Sequence, residues 1–262
     1  MYEVVFEHET RNSREDATTT MWRETSTKCT LFTSRFASST TASMTKQQPV
    51  PAAVRKKRIL MVHGYGQTSK TFREKTGAVR RSAKRIVGEW EFIEANLEAP
   101  AREELPEAPG GKAWWLWNHS HTNPINTGWE NSVKDLVYKL EKDGPFDGVL
   151  GFSQGASMVS LLVAEQEKRG CSWFHFAMFV GGFLPRMEVM REKITTDAAN
   201  TSIPTWHSYG LKDDIIPAEM SIELVKCMGK NAVVCPPHNG GHLVSSSKET
   251  RASFVAFLDS LK

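Results

Sequence analysis

Residues Gly151-Phe152-Ser153-Gln154-Gly155 set a serine between two glycines, directly after one short apolar run and directly before another. A serine hydroxyl is a weak nucleophile at neutral pH. It becomes a strong one when a histidine takes its proton and a carboxylate holds that histidine in the right tautomer. The G-x-S-x-G spacing suits this chemistry because it marks a sharp strand-to-helix turn. Such a turn lifts the hydroxyl clear of the sheet, and its glycines avoid collision with neighbouring backbone. Five-residue patterns also arise by chance, so the flanks decide. Residues 146–150 are short, largely apolar and preceded by the breaker pair Gly144-Pro145, as a buried strand is. Residues 158–164 are apolar on nearly every face, as a helix covered on both sides is.

The partners of Ser153 should follow it in the order acid, then histidine, each on a loop at the carboxyl edge of a parallel sheet. Gly210-Leu-Lys-Asp213-Asp214-Ile-Ile-Pro217 follows a strand ending at Tyr209, and Asp213, at the fourth position of the Gly-x-x-Asp turn, is preferred to Asp214. Asp147 begins the elbow strand and so points to the opposite edge. Asn239-Gly-Gly-His242 follows a strand ending near Cys235, and its glycine pair lets the backbone swing His242 back over Ser153. His238 competes for the role of base, four residues away. His175 starts a strand at the far edge, and His207 alternates within a strand as a core histidine does. His119 and His121 share an irregular segment but lack a third metal ligand, so no metal site is expected.

A tetrahedral intermediate needs preorganised donors, usually two backbone N–H groups. Gln154, the residue after the nucleophile, supplies one. Tyr65, in His63-Gly64-Tyr65-Gly66 after the first strand, is placed for the other, although the same loop also reads as a plain tight turn. His63 is expected to brace that loop. Trp114, Trp115 and Trp117 read equally well as walls of an acyl pocket and as a cover for the core.

The elements that must carry these groups alternate between strand and helix. Apolar strand runs are expected at 58–63, 90–95, 146–150, 174–180, 203–209 and 232–235. Helices are expected over 69–87, from a Thr127/Glu130 capping box, through 158–164, from Pro217, and from a Ser246/Glu249 capping box. Residues 97–127 hold no period and are broken by Pro100, Pro106, Pro109 and Gly110-Gly111, a length more often functional than idle. The pattern implies an α/β architecture, a doubly wound, mostly parallel sheet with helices on both faces.

With 262 residues and 40 % hydrophobic content the chain can fill one large α/β domain, expected over 55–262. The net charge of +3 is mild, and across the whole chain the basic residues read as dispersed, so no nucleic-acid partner is expected. The tetrad Arg55-Lys-Lys-Arg58 reads as a solvated charge run entering a strand rather than a nuclear signal. Four cysteines without C-x-x-C or metal spacing fit free thiols, and no apolar run reaches the length of a membrane span. Residues 1–54, rich in Ser and Thr, read as a disordered extension, with a transit peptide or initiation at Met44 as alternatives. A cytoplasmic location is expected, or an organellar one if the extension is a transit peptide.

Together Leu60-Met-Val-His-Gly-Tyr-Gly-Gln67, Glu98-Ala-Pro100, Ala113-Trp-Trp115, the block 144–156, Gly210-x-x-Asp213 and Gly-Gly-His242 resemble the FSH family of serine hydrolases, within the α/β-hydrolase superfamily. The resemblance runs from about Arg58 to the end and implies an α/β-hydrolase fold. It also implies a cofactor-independent carboxylic ester hydrolase, with Ser153, Asp213 and His242 at the matching triad positions and a small-molecule acyl ester as substrate. The first loop lacks the run of glycines found in lipase-type oxyanion holes, and the extension before Met44 has no counterpart. An acyl-thioesterase, an acyltransferase and a non-catalytic interaction protein on the same scaffold remain alternatives, and the oligomeric state is open.

Overall fold

The computed structural model describes residues 55–100, 110–117, 126–199 and 201–261, with the side chains of Trp117 and Asn126 excepted. The expected extension over 1–54 and the histidines at 8, 119 and 121 lie outside these residues. Six parallel strands form the central sheet: β1 (Lys57–Val62), β2 (Val87–Ile93), β7 (Gly148–Phe152), β8 (Phe176–Val180), β9 (Thr205–Ser208) and β10 (Ala232–Val234). Their spatial order is β10-β9-β8-β7-β1-β2. Four two-residue strands lie in the irregular stretch: β3 (Leu97–Glu98) pairs with β4 (Lys112–Ala113), and β5 (Leu116–Trp117) with β6 (Asn126–Thr127). The helices are α1 (Ser69–Lys75), α2 (Gly77–Ser82), α3 (Trp129–Asp143), α4 (Gln154–Arg169), α5 (Glu188–Asp197), α6 (Ala218–Met228) and α7 (Lys248–Ser260).

Parallel strands need crossovers, so both faces of the sheet are covered and successive side chains divide between two cores. In β1, Leu60 and Val62 face one core with α3, α4, α5 and α6, while Ile59 and Met61 face the other with α7, Phe72 and Val79. In β7 the same alternation sends Val149 to the first core and Leu150 and Phe152 to the second. Helix α4 lies against β7, β8 and β1 beneath α3 and α5, and its residues 154–164 are all buried. That explains a helix with no polar face over most of its length.

Several local expectations are corrected. The single helix over 69–87 is two short ones, and the chain is already in β2 at Val87. Thr127 does not cap α3. The N-cap is Gly128 at φ 91°, with no side-chain bond, and a Cβ there would meet Leu97 Cδ1 at 2.5 Å. Helix α7 is capped by Ser247, whose Oγ accepts from Thr250 N–H at 3.1 Å, rather than by Ser246. Helix α5 was not expected, because its mixed sequence presents only Met190 and Ile194 to the core.

Buried histidines are expected to make the fold acid-sensitive. His207 stacks on Phe179 (4.7 Å between centroids), its Nε2 bonds Thr205 Oγ1, and burial pushes its pKa down to about 3. Burial also lowers the pKa values of His63 and His238. A histidine kept neutral by the fold but free to protonate when unfolded gives the unfolded state more protons below its ordinary pKa of about 6.5. Stability therefore falls as pH drops from there towards the folded value. Urea midpoints are expected to fall between about pH 7.5 and 5, and His207→Gln to lose less over that interval than the parent. An identical loss in both proteins would remove His207 from the account.

Candidate active site

Strand β7 ends at Phe152 and α4 begins at Gln154, so the whole reversal falls on Ser153. Its φ of 53° and ψ of −120° make it the one non-glycine residue with positive φ among those described. Neighbouring atoms leave no room for other geometry. A Cβ on Gly151 would lie 2.4 Å from Gly155 O, and one on Gly155 would lie 2.3 Å from both Val62 O and His63 O. Distances that short are repulsive against backbone, so both glycines of the motif are required by packing. Ser153 N–H donates to Val180 O at 2.9 Å, tying the turn to the end of β8, and the residue is 8 % exposed.

The expected acid and base meet. His242 Nδ1–H donates to Asp213 Oδ2 at 2.7 Å, and Asp213 Oδ1 accepts from the backbone N–H groups of Ile215 (3.0 Å) and Ile216 (2.8 Å). Three donors thus hold a carboxylate whose side chain is 2 % exposed. With the proton on Nδ1, the lone pair of His242 is on Nε2, the tautomer a general base needs. The imidazole lies 4.8 Å from the ring of Phe152, the residue before the serine. Among the described residues no hydrogen bond joins Ser153 Oγ to His242, whose ring bonds Asp213; bonds between catalytic groups often tighten only once substrate is bound.

Asp214 is exposed and Asp147 sits at the other edge, accepting from Arg58 N–H and Arg55. His238 is buried and makes no hydrogen bond to the acid among the described residues. Its Nδ1 accepts from Gly240 N–H at 3.2 Å, so it braces the Gly240-Gly241 turn that carries His242. Sequence reasoning missed Gly181, at φ 54°, which forms the floor under the pair. A Cβ there would lie 3.2 Å from His242 Cε1 and 3.9 Å from Asp213 Oδ2. Its signal was the Gly181-Gly182 pair at the end of a strand.

Both candidate oxyanion donors belong to segments next to Ser153. Gln154 heads α4, where the first amides of a helix have no intrahelical acceptor and the helix dipole favours negative charge. The Tyr65 loop packs against the elbow, since a Cβ on Gly64 would be 3.2 Å from Ser153 Cβ and 2.8 Å from Phe152 Cδ1. Around Tyr65 the loop is pinned by Gly64 N–H to Gln67 Oε1, Gln67 N–H to Gly64 O, and Gly66 N–H to Lys112 O. His63 is fully buried, donates through Nδ1 to Gly64 O and accepts Ala95 N–H at Nε2. It is a neutral brace, its pKa lowered by burial.

One buried network joins the donors. Gln154 Oε1 accepts from Trp114 N–H and its Nε2 donates to Trp115 O, both at 2.8 Å. Trp114 Nε1–H donates to His63 O at 2.7 Å, and Ser132 Oγ donates to Trp114 O at 2.6 Å. Trp114 (1 % exposed) and Trp115 (6 %) belong to the core shared with α3 and α4, so of their two readings the structural one accounts for what they touch. Trp117 contributes backbone to β5, and its side chain lies outside the described residues.

Comparison with known proteins shows the family and the fold. The profile of the family described as Serine hydrolase (FSH1) matches residues 52–254. The chain is 34 % identical to Esterase OVCA2 of Danio rerio over 222 residues, covering 77 % of this chain and 96 % of that protein. It is 34 % identical to Esterase CG5412 of Drosophila melanogaster (84 % and 80 % covered) and 30 % identical to Esterase OVCA2 of Homo sapiens (79 % and 98 %). Among solved structures it resembles esterase PE8 (TM-score 0.57, 18 % identity, 79 % and 93 % covered) and Zea mays acyl-protein thioesterase 2 (TM-score 0.52, 18 % identity, 80 % and 97 % covered). These likenesses show the α/β-hydrolase fold, and the relatives show a serine hydrolase of esterase type.

The network predicts that the Gln154 side chain acts on rate through position. Gln154→Ala keeps the backbone N–H but removes the link to Trp114 and Trp115. Turnover of a chromogenic ester is expected to fall in kcat by on the order of ten- to a hundredfold, with KM within about twofold. An unchanged kcat in a folded variant would show that the network does not set the donors.

Proposed function

The chain belongs to the Serine hydrolase (FSH1) family, and from that premise we propose that it hydrolyses medium- or long-chain carboxylic acyl esters with Ser153 as nucleophile, His242 as base and Asp213 as orienting acid. The observation that carries this reading is the 2.7 Å bond from His242 Nδ1–H to a buried Asp213, formed beside a serine in strained elbow geometry.

In the first step His242 Nε2 removes the Ser153 proton as Oγ attacks the ester carbonyl. The carbonyl π electrons move to oxygen, where the amides of Gln154 and Tyr65 would receive the charge. Collapse of the tetrahedral species breaks the bond to the alcohol, which leaves with the proton from His242. Water, deprotonated by the same imidazole, then attacks the acyl-enzyme and releases the carboxylic acid and free Ser153. Every step uses groups of this chain and water.

The acyl group is argued from the loops that bear the acid and the base. Leu211 (57 % exposed), Ile215 (52 %) and Leu243 (48 %) flank Asp213 and His242, and large aliphatic side chains left in solvent beside a site suit an apolar substrate. A thioester of the same acyl group would meet the same residues, and oxygen-ester and thioester pairs of equal chain length would rank the two.

A fluorophosphonate probe is expected to label the parent protein and leave Ser153→Ala unlabelled. Labelling that persists would remove Ser153 as nucleophile. Ester turnover should fall by on the order of a thousandfold in His242→Ala while His238→Ala keeps most of it. The opposite ranking would move the base to His238.

A further inference from the structure

The charge of this chain is divided along its length. Residues 55–86 contain eleven Lys and Arg and a single acid, Glu74, in a chain whose net charge is +3, so the remainder is net acidic. The dispersal read from the whole sequence does not hold here. Arg55 and Arg58 are paired with Asp147, Glu89 and Glu91. The seven cations on α1, α2 and the turn that follows have no carboxylate within ion-pair distance among the described residues.

Two of them are held in place. The guanidinium carbons of Arg73 and Arg80 lie 4.3 and 5.3 Å from the centroid of the same Phe92 ring. Arg80 Nη2 donates to Arg73 O at 2.8 Å and its Nε to Thr76 Oγ1 at 3.2 Å. Burial, and then the neighbouring charges of Arg73 and Arg81, lower the pKa of Arg80. Two ordered guanidiniums facing like charge without a counter-ion are arranged to take oxyanions such as phosphate. Around them Lys70, Lys75, Arg81, Lys84 and Arg85 are exposed.

We propose that the α1–α2 face docks the protein on an anionic phospholipid surface, with Arg73 and Arg80 receiving lipid phosphates. This rests on the acyl-ester reading above, because an ester with a long acyl chain partitions into bilayers. The face starts at Ser69, two residues after the Gln67 end of the Tyr65 loop, and runs back to Lys84 and Arg85 beside the amino ends of β1 and β2, so docking would lay this flank of the sheet along the lipid. Nucleic acid fits less well. None of the large exposed hydrophobics among the described residues lies between 55 and 100, so the face offers no exposed aromatic on which a base could stack. A mixed layer of cations without apolar wedges adsorbs electrostatically, each Lys or Arg near the surface contributing about a fivefold factor.

The test is sedimentation of the full chain with vesicles. Binding is expected to phosphatidylcholine vesicles carrying about 30 mol % phosphatidylserine, not to phosphatidylcholine alone, with release as salt rises from about 0.05 to 0.5 M. The variant Lys75→Gln, Arg81→Gln, Lys84→Gln, Arg85→Gln should bind at least about tenfold more weakly and hydrolyse a soluble short-chain ester at the parental rate. Failure to bind, equal binding to neutral vesicles, full binding by the variant, or capture of duplex DNA in place of vesicles would each overturn the proposal. Fluorophosphonate labelling of the same samples reports separately on the hydrolase reading.

Discussion

A chain that turns from strand to helix through one residue has almost no geometric freedom, and the site is built around that turn. Holding Ser153 at φ 53° costs on the order of 1–3 kcal/mol, which only surrounding structure can offset. Helix α4 supplies the offset because eleven consecutive residues from Gln154 are buried between the sheet and other helices. The helix can approach so closely only because Gly155 lies against the carbonyls of Val62 and His63 and Gly151 lies against Gly155. Packing and the geometry of Ser153 are therefore one constraint.

The same turn arranges the electrostatics. The positive end of α4 begins at Gln154, directly after Ser153, and the Gly64 loop packs against Ser153 and Phe152. Gly181 ends the neighbouring strand in a conformation that leaves room for His242 above it, with Asp213 behind. Asp213 is tied to its own loop by the amides of Ile215 and Ile216, so the carboxylate is oriented before it meets the histidine.

Behind these groups lies a polar network that has little contact with water. Gln154, Trp114 and Ser132 pair with backbone atoms of Trp114, Trp115 and His63, the His63 ring pairs with Gly64 and Ala95, and buried polar groups of this kind specify a single arrangement when they are satisfied. The network accounts for a glutamine after Ser153 and a tryptophan far from it in sequence, since the one bonds the backbone of the other and of its neighbour. It also gives the irregular stretch around β4 a task, the bracing of the first loop, that needs no periodic secondary structure.

Alternating apolar runs, glycine pairs and the order of Ser153, Asp213 and His242 were legible in the sequence because each follows from local rules: strand period, turn sterics and chain order at a sheet edge. The ends of elements were less legible. Ser247 rather than Ser246 caps α7, and Gly128 rather than Thr127 precedes α3, because caps depend on how the incoming chain is held and not on residue type alone. The tryptophans could not be assigned from sequence, since an indole that walls a pocket and one that fills a core have the same composition, and only burial separates them. Gly181 needed the fold as well, because its importance lies in what rests on it. The sequence by itself determined which groups could react. The tertiary structure decided which of them touch, because hydrogen bonds between segments tens of residues apart are set by packing and not by spacing.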